Sequence, residues 1–163
     1  MSGQTALPGR AVRVALPLAA ALSLAGTGIA TYLTVVHYAH QPIACSAIGN
    51  CELVNSSEYA KVGAVPVALL GVVAYVSMLA LIAGAWLRRD AMLLLAAWGI
   101  ALGSSAFSIY LTYIELRVLY AICVYCVASA SIVTALFAVL SAGVWGARDE
   151  VLGGGAATTG GGG

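Results

Sequence analysis

Charge is scarce in this sequence. Its 163 residues hold 7 lysines and arginines and 6 aspartates and glutamates, a charged fraction of 8% against roughly 25% in a soluble domain. The net charge of +1 supplies no basic field for nucleic acid, and that class of partner is set aside. Histidine occurs twice and cysteine four times, so metal or thiol chemistry has few places to sit. No internal repeat is present, and no stretch has the composition of a second, soluble domain. What is abundant is apolar: 62% of the residues are hydrophobic and the mean hydropathy is +1.01. That balance describes an integral membrane protein, in which spans of about 20 residues consume most of the length.

The apolar runs predict an all-α bundle of four transmembrane helices. Residues 1–13 form a polar N-terminus, 14–145 the four-helix membrane domain, and 146–163 a flexible tail ending in GGGAATTGGGG, a composition that packs no core. The first run, Val14 to Val36, is longer than a signal-peptide core and ends in no small-x-small cleavage site, so a retained helix is expected. Pro42 ends it. The loop that follows carries Asn55 and, three residues on, Glu58, which reads as a cap opening a short interfacial helix over Ser56–Lys61, stopped by Gly63. Pro66 starts a second span, Val65 to Leu87. A third runs from Ala91 to Ile114, a turn covers Glu115 to Arg117, and a fourth runs from Val118 to Trp145. Gly99-x-x-x-Gly103 in the third span reads as a helix-packing face.

Basic residues orient the bundle. Arg10 and Arg13 precede the first span, Arg88 and Arg89 follow the second, and Arg148 follows the fourth, whereas Lys61 and Arg117 alone mark the other face. The positive-inside rule then puts both termini in the cytoplasm. Trp86 and Trp145 at one face, and Tyr110, Tyr113 and Tyr120 at the other, suit an aromatic belt.

With that orientation all four cysteines meet on the extracytoplasmic side, where disulfides persist. Cys45 and Cys51 lie in the polar loop; Cys123 and Cys126 form a Cys-x-x-Cys at a helix start, where the macrodipole favours thiolate. Three readings suit the four sulfurs. They can supply a zinc tetrad, although the six-residue step from Cys45 to Cys51 is looser than zinc's usual spacing. They can form structural disulfides in a non-catalytic membrane protein. Or they can relay electrons, since thiol–disulfide exchange needs direct sulfur-on-sulfur attack and a loop pair can meet both a soluble partner and a buried pair. A relay of that kind needs an acceptor dissolved in the bilayer, and a quinone carries two electrons and two protons.

The motif Cys45-x5-Cys51-x5-Ser57-x-Tyr59, followed by Gly63, Pro66-Val67 and Gly71, and then Cys123-x-Tyr-Cys126 at the last span, resembles the vitamin K epoxide reductase family, in its bacterial form without a fused thioredoxin domain. The resemblance implies a thiol:quinone oxidoreductase that reoxidises a separate DsbA-like, thioredoxin-fold protein and reduces ubiquinone or menaquinone, supporting disulfide formation from the cytoplasmic (inner) membrane. It implies that Cys45 exchanges with the partner, Cys51 passes electrons to Cys123, and Cys126 stands beside the quinone. Ser57 is expected at the quinone site or as a helix-start hydrogen bonder, and Tyr125 to line that pocket or simply to pack. A disulfide oxidase of the unrelated DsbB type shares this chemistry, but the loop motif before the second span differs. The vertebrate enzymes carry a tyrosine where this chain has Ala130 and a pocket asparagine where it has Val67, which points to quinone reduction rather than epoxide reduction. His37 and His40 sit near the outer end of the first span as interface residues or a proton path. Glu115 and Arg117 are expected to meet headgroups or the partner, and Lys61 solvent.

Overall fold

The computed structural model of the chain describes residues 10–43, 45 and 50–157; expectations for 1–9, 44, 46–49 and 158–163 lie outside them. Four long helices and one short one carry the architecture: α1 (Arg10–Ala39), α2 (Cys51–Ser56), α3 (Val67–Arg88), α4 (Ala91–Ile114) and α5 (Val124–Ala157). α1, α3, α4 and α5 are long and apolar enough to cross a membrane. Their principal contacts run α1 to α3, α3 to α4, α4 to α5 and α5 back to α1, a closed ring of four. The multi-pass, all-helical reading of the sequence is borne out.

The ends of these helices have local causes. Arg89 takes a left-handed conformation, φ 52°, to finish α3, and Asp90 accepts a hydrogen bond from the Met92 amide at 2.9 Å to start α4, satisfying one of the first turn's orphan donors. His40, φ 51°, closes α1 just ahead of Pro42. Within the ring, Met78 and Ile82 of α3 and Leu136 and Leu140 of α5 are fully buried in one core cluster. In lipid there is no hydrophobic drive between helices, so close approach and polar ties decide association. Ala19, Ala85, Ala97 and Ala101 are buried at the contacts. Tyr75 donates to the Ser129 carbonyl at 2.9 Å, the Trp98 indole to Ser141 Oγ at 2.9 Å, and Ser105 to the Val133 carbonyl at 3.2 Å. Each such tie contributes roughly 0.6 kcal/mol. Outward, Val73, Leu87, Met92 and Ile109 are exposed, as side chains facing acyl tails should be.

The structure corrects four expectations. The short helix lies at Cys51–Ser56, not Ser56–Lys61, and is capped by Asn50 rather than Asn55. Burial of Cys51 and Val54 one turn apart decides between the two asparagines. Glu58–Ala60 form a single 3-10 turn, and Lys61–Val62 pair antiparallel with Val65–Pro66 around Gly63, whose φ of 65° a two-residue hairpin turn requires. The fourth span begins at Val124, not Val118, because Glu115–Leu119 continue α4 as a widened π-turn. Nothing approaches a Cβ built on Gly99 or Gly103 within 4 Å; the small residues that do face a neighbour are Ala97, Ala101 and Ser105, one helical repeat apart and all buried. Finally, α5 runs on to Ala157, beyond the point where the sequence reading closed the ordered part.

Candidate active site

One end of the ring is capped by the loop between α1 and α3. The cap is tied down by a backbone hydrogen bond from the Asn50 amide to the Ile122 carbonyl at 3.1 Å, while Asn50 Oδ1 accepts from the Leu53 amide at 3.2 Å. These bonds lay the first turn of α2 against the segment that precedes α5. Cys51, Val54, Ala121 and Cys123 are consequently buried in one cluster, with Cys45, Tyr125 and Cys126 packed around it. Cys51 and Cys123 are both fully buried. All four cysteines are therefore brought together, from a loop and a helix start far apart in the chain.

Their bonding states differ. Cys45 and Cys51 form a disulfide with Cα atoms 6.0 Å apart, within the usual span for such a bond, whereas Cys123 and Cys126 are free thiols. Two of the four sulfurs are thus bonded to each other rather than offered with the second pair as a zinc tetrad. Cys123 immediately precedes α5, and its carbonyl accepts from the Val127 amide at 3.0 Å. Its Sγ in turn accepts from the Cys126 amide at 3.4 Å, so the sulfur itself serves as the helix cap. A hydrogen bond from the Cys126 side chain, together with that amide, holds the Cys123 thiol below its ordinary range despite burial. Thiolate character accordingly rests on Cys123.

Next to the cysteines lies a cavity of about 450 Å³, within the range of small-molecule sites. It is walled by α3, α4 and α5 and roofed by the cap. Cys126 lines it, as do Ser57 and Tyr59 from the loop and Tyr75 from α3. Its wall is mostly apolar, and a quinone ring needs such a wall with a few polar atoms; the residues present fit one. Ser57 also donates to the Val54 carbonyl at 2.7 Å, closing the end of α2, and makes no side-chain bond to the turn that follows it, so of its two expected places it takes the cavity wall and not a helix start. Tyr125 is not among the lining residues; its ring meets Tyr32 at a centroid distance of 5.3 Å, which matches packing rather than pocket. Val67 and Ala130 both line the cavity. His37 and His40 stay near the end of α1, His37 edge-on to Tyr38 and His40 with its Nδ1 3.1 Å from the Tyr38 carbonyl.

One residue at the site was read from the sequence only as a headgroup or partner contact. Glu115 is 5% exposed. Its Oε2 accepts from the Cys123 amide at 3.2 Å, its carboxyl hydrogen-bonds the Cys126 side chain, and it lines the cavity. Arg117, two residues on, is exposed. A signal was available: an ionisable residue at the end of a hydrophobic run is a site candidate by default, because burying it is expensive. A family model described as the Vitamin K epoxide reductase family matches residues 17–141. The match opens within α1, closes within α5 and takes in every cysteine and the whole cavity wall.

Proposed function

The chain belongs to the vitamin K epoxide reductase family, and on that premise we propose that it reoxidises a thioredoxin-fold partner of the DsbA kind and hands the electrons to a quinone through Cys45, Cys51, Cys123 and Cys126. Membership makes it a thiol:quinone oxidoreductase of the membrane. The observation that carries the finer reading is the burial of Cys51 and Cys123 in one cluster beside a cavity lined by Cys126.

The steps follow from which sulfurs can meet. A reduced partner attacks Cys45, the sulfur of the loop disulfide that is not buried within the cluster, and leaves Cys51 as thiolate. Cys51 attacks Cys123 of the oxidised Cys123–Cys126 pair and releases Cys126. Cys45, freed when the partner closes its own disulfide, then attacks Cys51 and expels Cys123. A leaving thiol with a lowered pKa leaves faster, so the hydrogen bonds that favour the Cys123 thiolate drive transfer forward, into the bundle. The product is a closed loop disulfide with two free bundle thiols, the state of this structure. Quinone in the cavity accepts the two electrons from that pair, and the net change is partner dithiol plus quinone to partner disulfide plus hydroquinone.

Val67 and Ala130 in the cavity wall offer no side-chain hydrogen bond where the vertebrate enzymes have asparagine and tyrosine, which supports quinone rather than epoxide as substrate. The distribution of arginines supports both termini in the cytoplasm and the cysteines on the extracytoplasmic side. Acid-quenched thiol alkylation with disulfide mapping tests the relay. With quinone supplied, Cys123–Cys126 is expected oxidised; with quinone depleted, both thiols should accumulate, and Cys45→Ala, which removes the sulfur that resolves it, should accumulate a Cys51–Cys123 disulfide. Cysteine states that ignore quinone would sink the proposal and favour structural disulfides.

A further inference from the structure

We propose that Glu115 is a catalytic residue of the quinone-reducing step, taking the Cys126 thiol proton and returning it to the reduced quinone. The inference rests on the thiol:quinone reading above and extends it to the movement of protons.

The argument begins with cost. A buried carboxylate is expensive unless something compensates it, and Glu115 interacts with Cys123 and Cys126 rather than with a cation. If its only task were to accept the Cys123 amide, an uncharged amide side chain would serve without that penalty. Position supplies the second point. Among the described residues that line the cavity, Glu115 is the only carboxylate and the only charged side chain; the other titratable groups there are Tyr59, Tyr75 and Cys126. It therefore stands at the junction of the reacting thiol and the acceptor site. Chemistry supplies the third. With Cys123 held toward thiolate, Cys126 is the sulfur that still carries a proton, and that proton must leave before or as the sulfur reacts, because the thiolate is the nucleophile.

The balance closes. Cys126 gives its proton to the Glu115 carboxylate and its electrons toward the quinone. The Cys123 thiolate closes on Cys126 Sγ, forming the Cys123–Cys126 disulfide. Two electrons and two protons end on the hydroquinone, one proton by way of Glu115 and the other from solvent, and the carboxylate is regenerated. Two thiol sulfurs are oxidised and one quinone is reduced.

Glu115→Gln keeps an oxygen to accept the Cys123 amide and loses the base. Full-length protein in nanodiscs, with Cys123 and Cys126 reduced, is mixed with a soluble short-chain quinone and quenched over time. General-base loss should slow oxidation of the pair about a hundredfold, while Cys51–Cys123 exchange, read by disulfide mapping in the same samples, should not slow, because removing the carboxylate takes away a charge that disfavours the Cys123 thiolate. Glu115→Asp should recover part of the loss. A second readout uses no quinone: Cys126 alkylation by a small maleimide in the reduced, quinone-free protein should slow in Glu115→Gln. If Glu115→Gln matches the wild type in both the quinone step and Cys126 alkylation, or slows thiol exchange equally, the assignment is overturned and Glu115 is a structural cap. If the wild type itself does not oxidise the pair with quinone, the functional reading fails, and the alkylation readout still judges Glu115 as the base for Cys126.

Discussion

The close approach of the Tyr75 ring to the backbone at Gly26 makes a sharp prediction. A Cβ built at Gly26 lies 2.5 Å from Tyr75 Cζ and 2.7 Å from Cδ1, and closer still to Cε1. Carbon pairs settle at about 3.5–4.0 Å, so Gly26→Ala forces the ring back by about 1 Å. The ring has little freedom to move, because it is 3% exposed and its hydroxyl is bonded to the Ser129 carbonyl at 2.9 Å and to Ser129 Oγ at 3.0 Å. Overpacking of this kind costs about 1–3 kcal/mol. Gly28 lies in the same helix with nothing within 4 Å of its Cβ position, so Gly28→Ala gains helix propensity, up to about 1 kcal/mol, with no clash. Gly26→Ala gains the same propensity, so the two variants should differ by the overpacking cost, about 1–3 kcal/mol, with Gly26→Ala the less stable.

Reversible unfolding in mixed micelles, followed by far-ultraviolet circular dichroism, measures that difference. Thermal scans should place Gly26→Ala about 2–12 °C below Gly28→Ala. Because Tyr75 also lines the cavity, the displaced ring should raise KM for quinone as well. Tyr75→Leu in the Gly26→Ala background should recover much of the stability, a coupling that a double-mutant cycle isolates. Equal stability of Gly26→Ala and Gly28→Ala would refute the reasoning, since the contact would then not exist in the folded protein.

Three further outcomes are expected. Asn50→Ala removes the α2 cap at a cost of about 1 kcal/mol and should speed amide exchange at Leu53 and Val54 about fivefold; a larger effect from Asn55→Ala would contradict the placement of the helix. Cys123 has a folded pKa below its unfolded one, so in the reduced protein its thiolate stabilises the fold fully above the ordinary thiol range, and the contribution is lost as pH falls through the lowered value. Unfolding of reduced protein against Cys123→Ser across that window should show a stability difference that grows with pH, and a constant difference would count against the thiolate. Cysteine introduced at Tyr59 should react with a membrane-impermeant maleimide added outside intact cells, and cysteine at Arg89 should react only after lysis; the reverse pattern would invert the topology.

The spans were legible because lipid imposes a simple code. α4 was read to the residue, Ala91 to Ile114, since Asp90 and the Glu115 boundary are polar punctuation around an apolar run. The start of α3 was read two residues early because Pro66 is buried as the flanking residue of the helix rather than its first. What the code does not carry is which face of a helix meets which neighbour. Gly99 and Gly103 have the spacing of a packing motif and pack against nothing within reach, while the close approach at Gly26 has no motif at all and depends on where Tyr75 of another helix points. Local signals likewise could not choose Asn50 over Asn55, because the choice is made by the burial of Cys51 against Cys123.

Glu115 marks the same boundary for function. The cysteines were legible because thiol chemistry needs pairs, and four sulfurs in two pairs leave few alternatives. Glu115 looked like turn chemistry, three residues from end to end with Arg117, because a linear reading pairs each charge with its neighbour in sequence. The π-turn separates them: Glu115 is turned inward under Cys123 and Arg117 outward. A chain that spends so few charges and buries one of them at its reacting thiol has kept it against a cost of several kcal/mol. Hydrogen bonds from the Cys123 amide and the Cys126 side chain offset part of that cost, and the proposed proton transfer between Cys126 and the cavity gives the carboxylate a task that a neutral side chain could not perform.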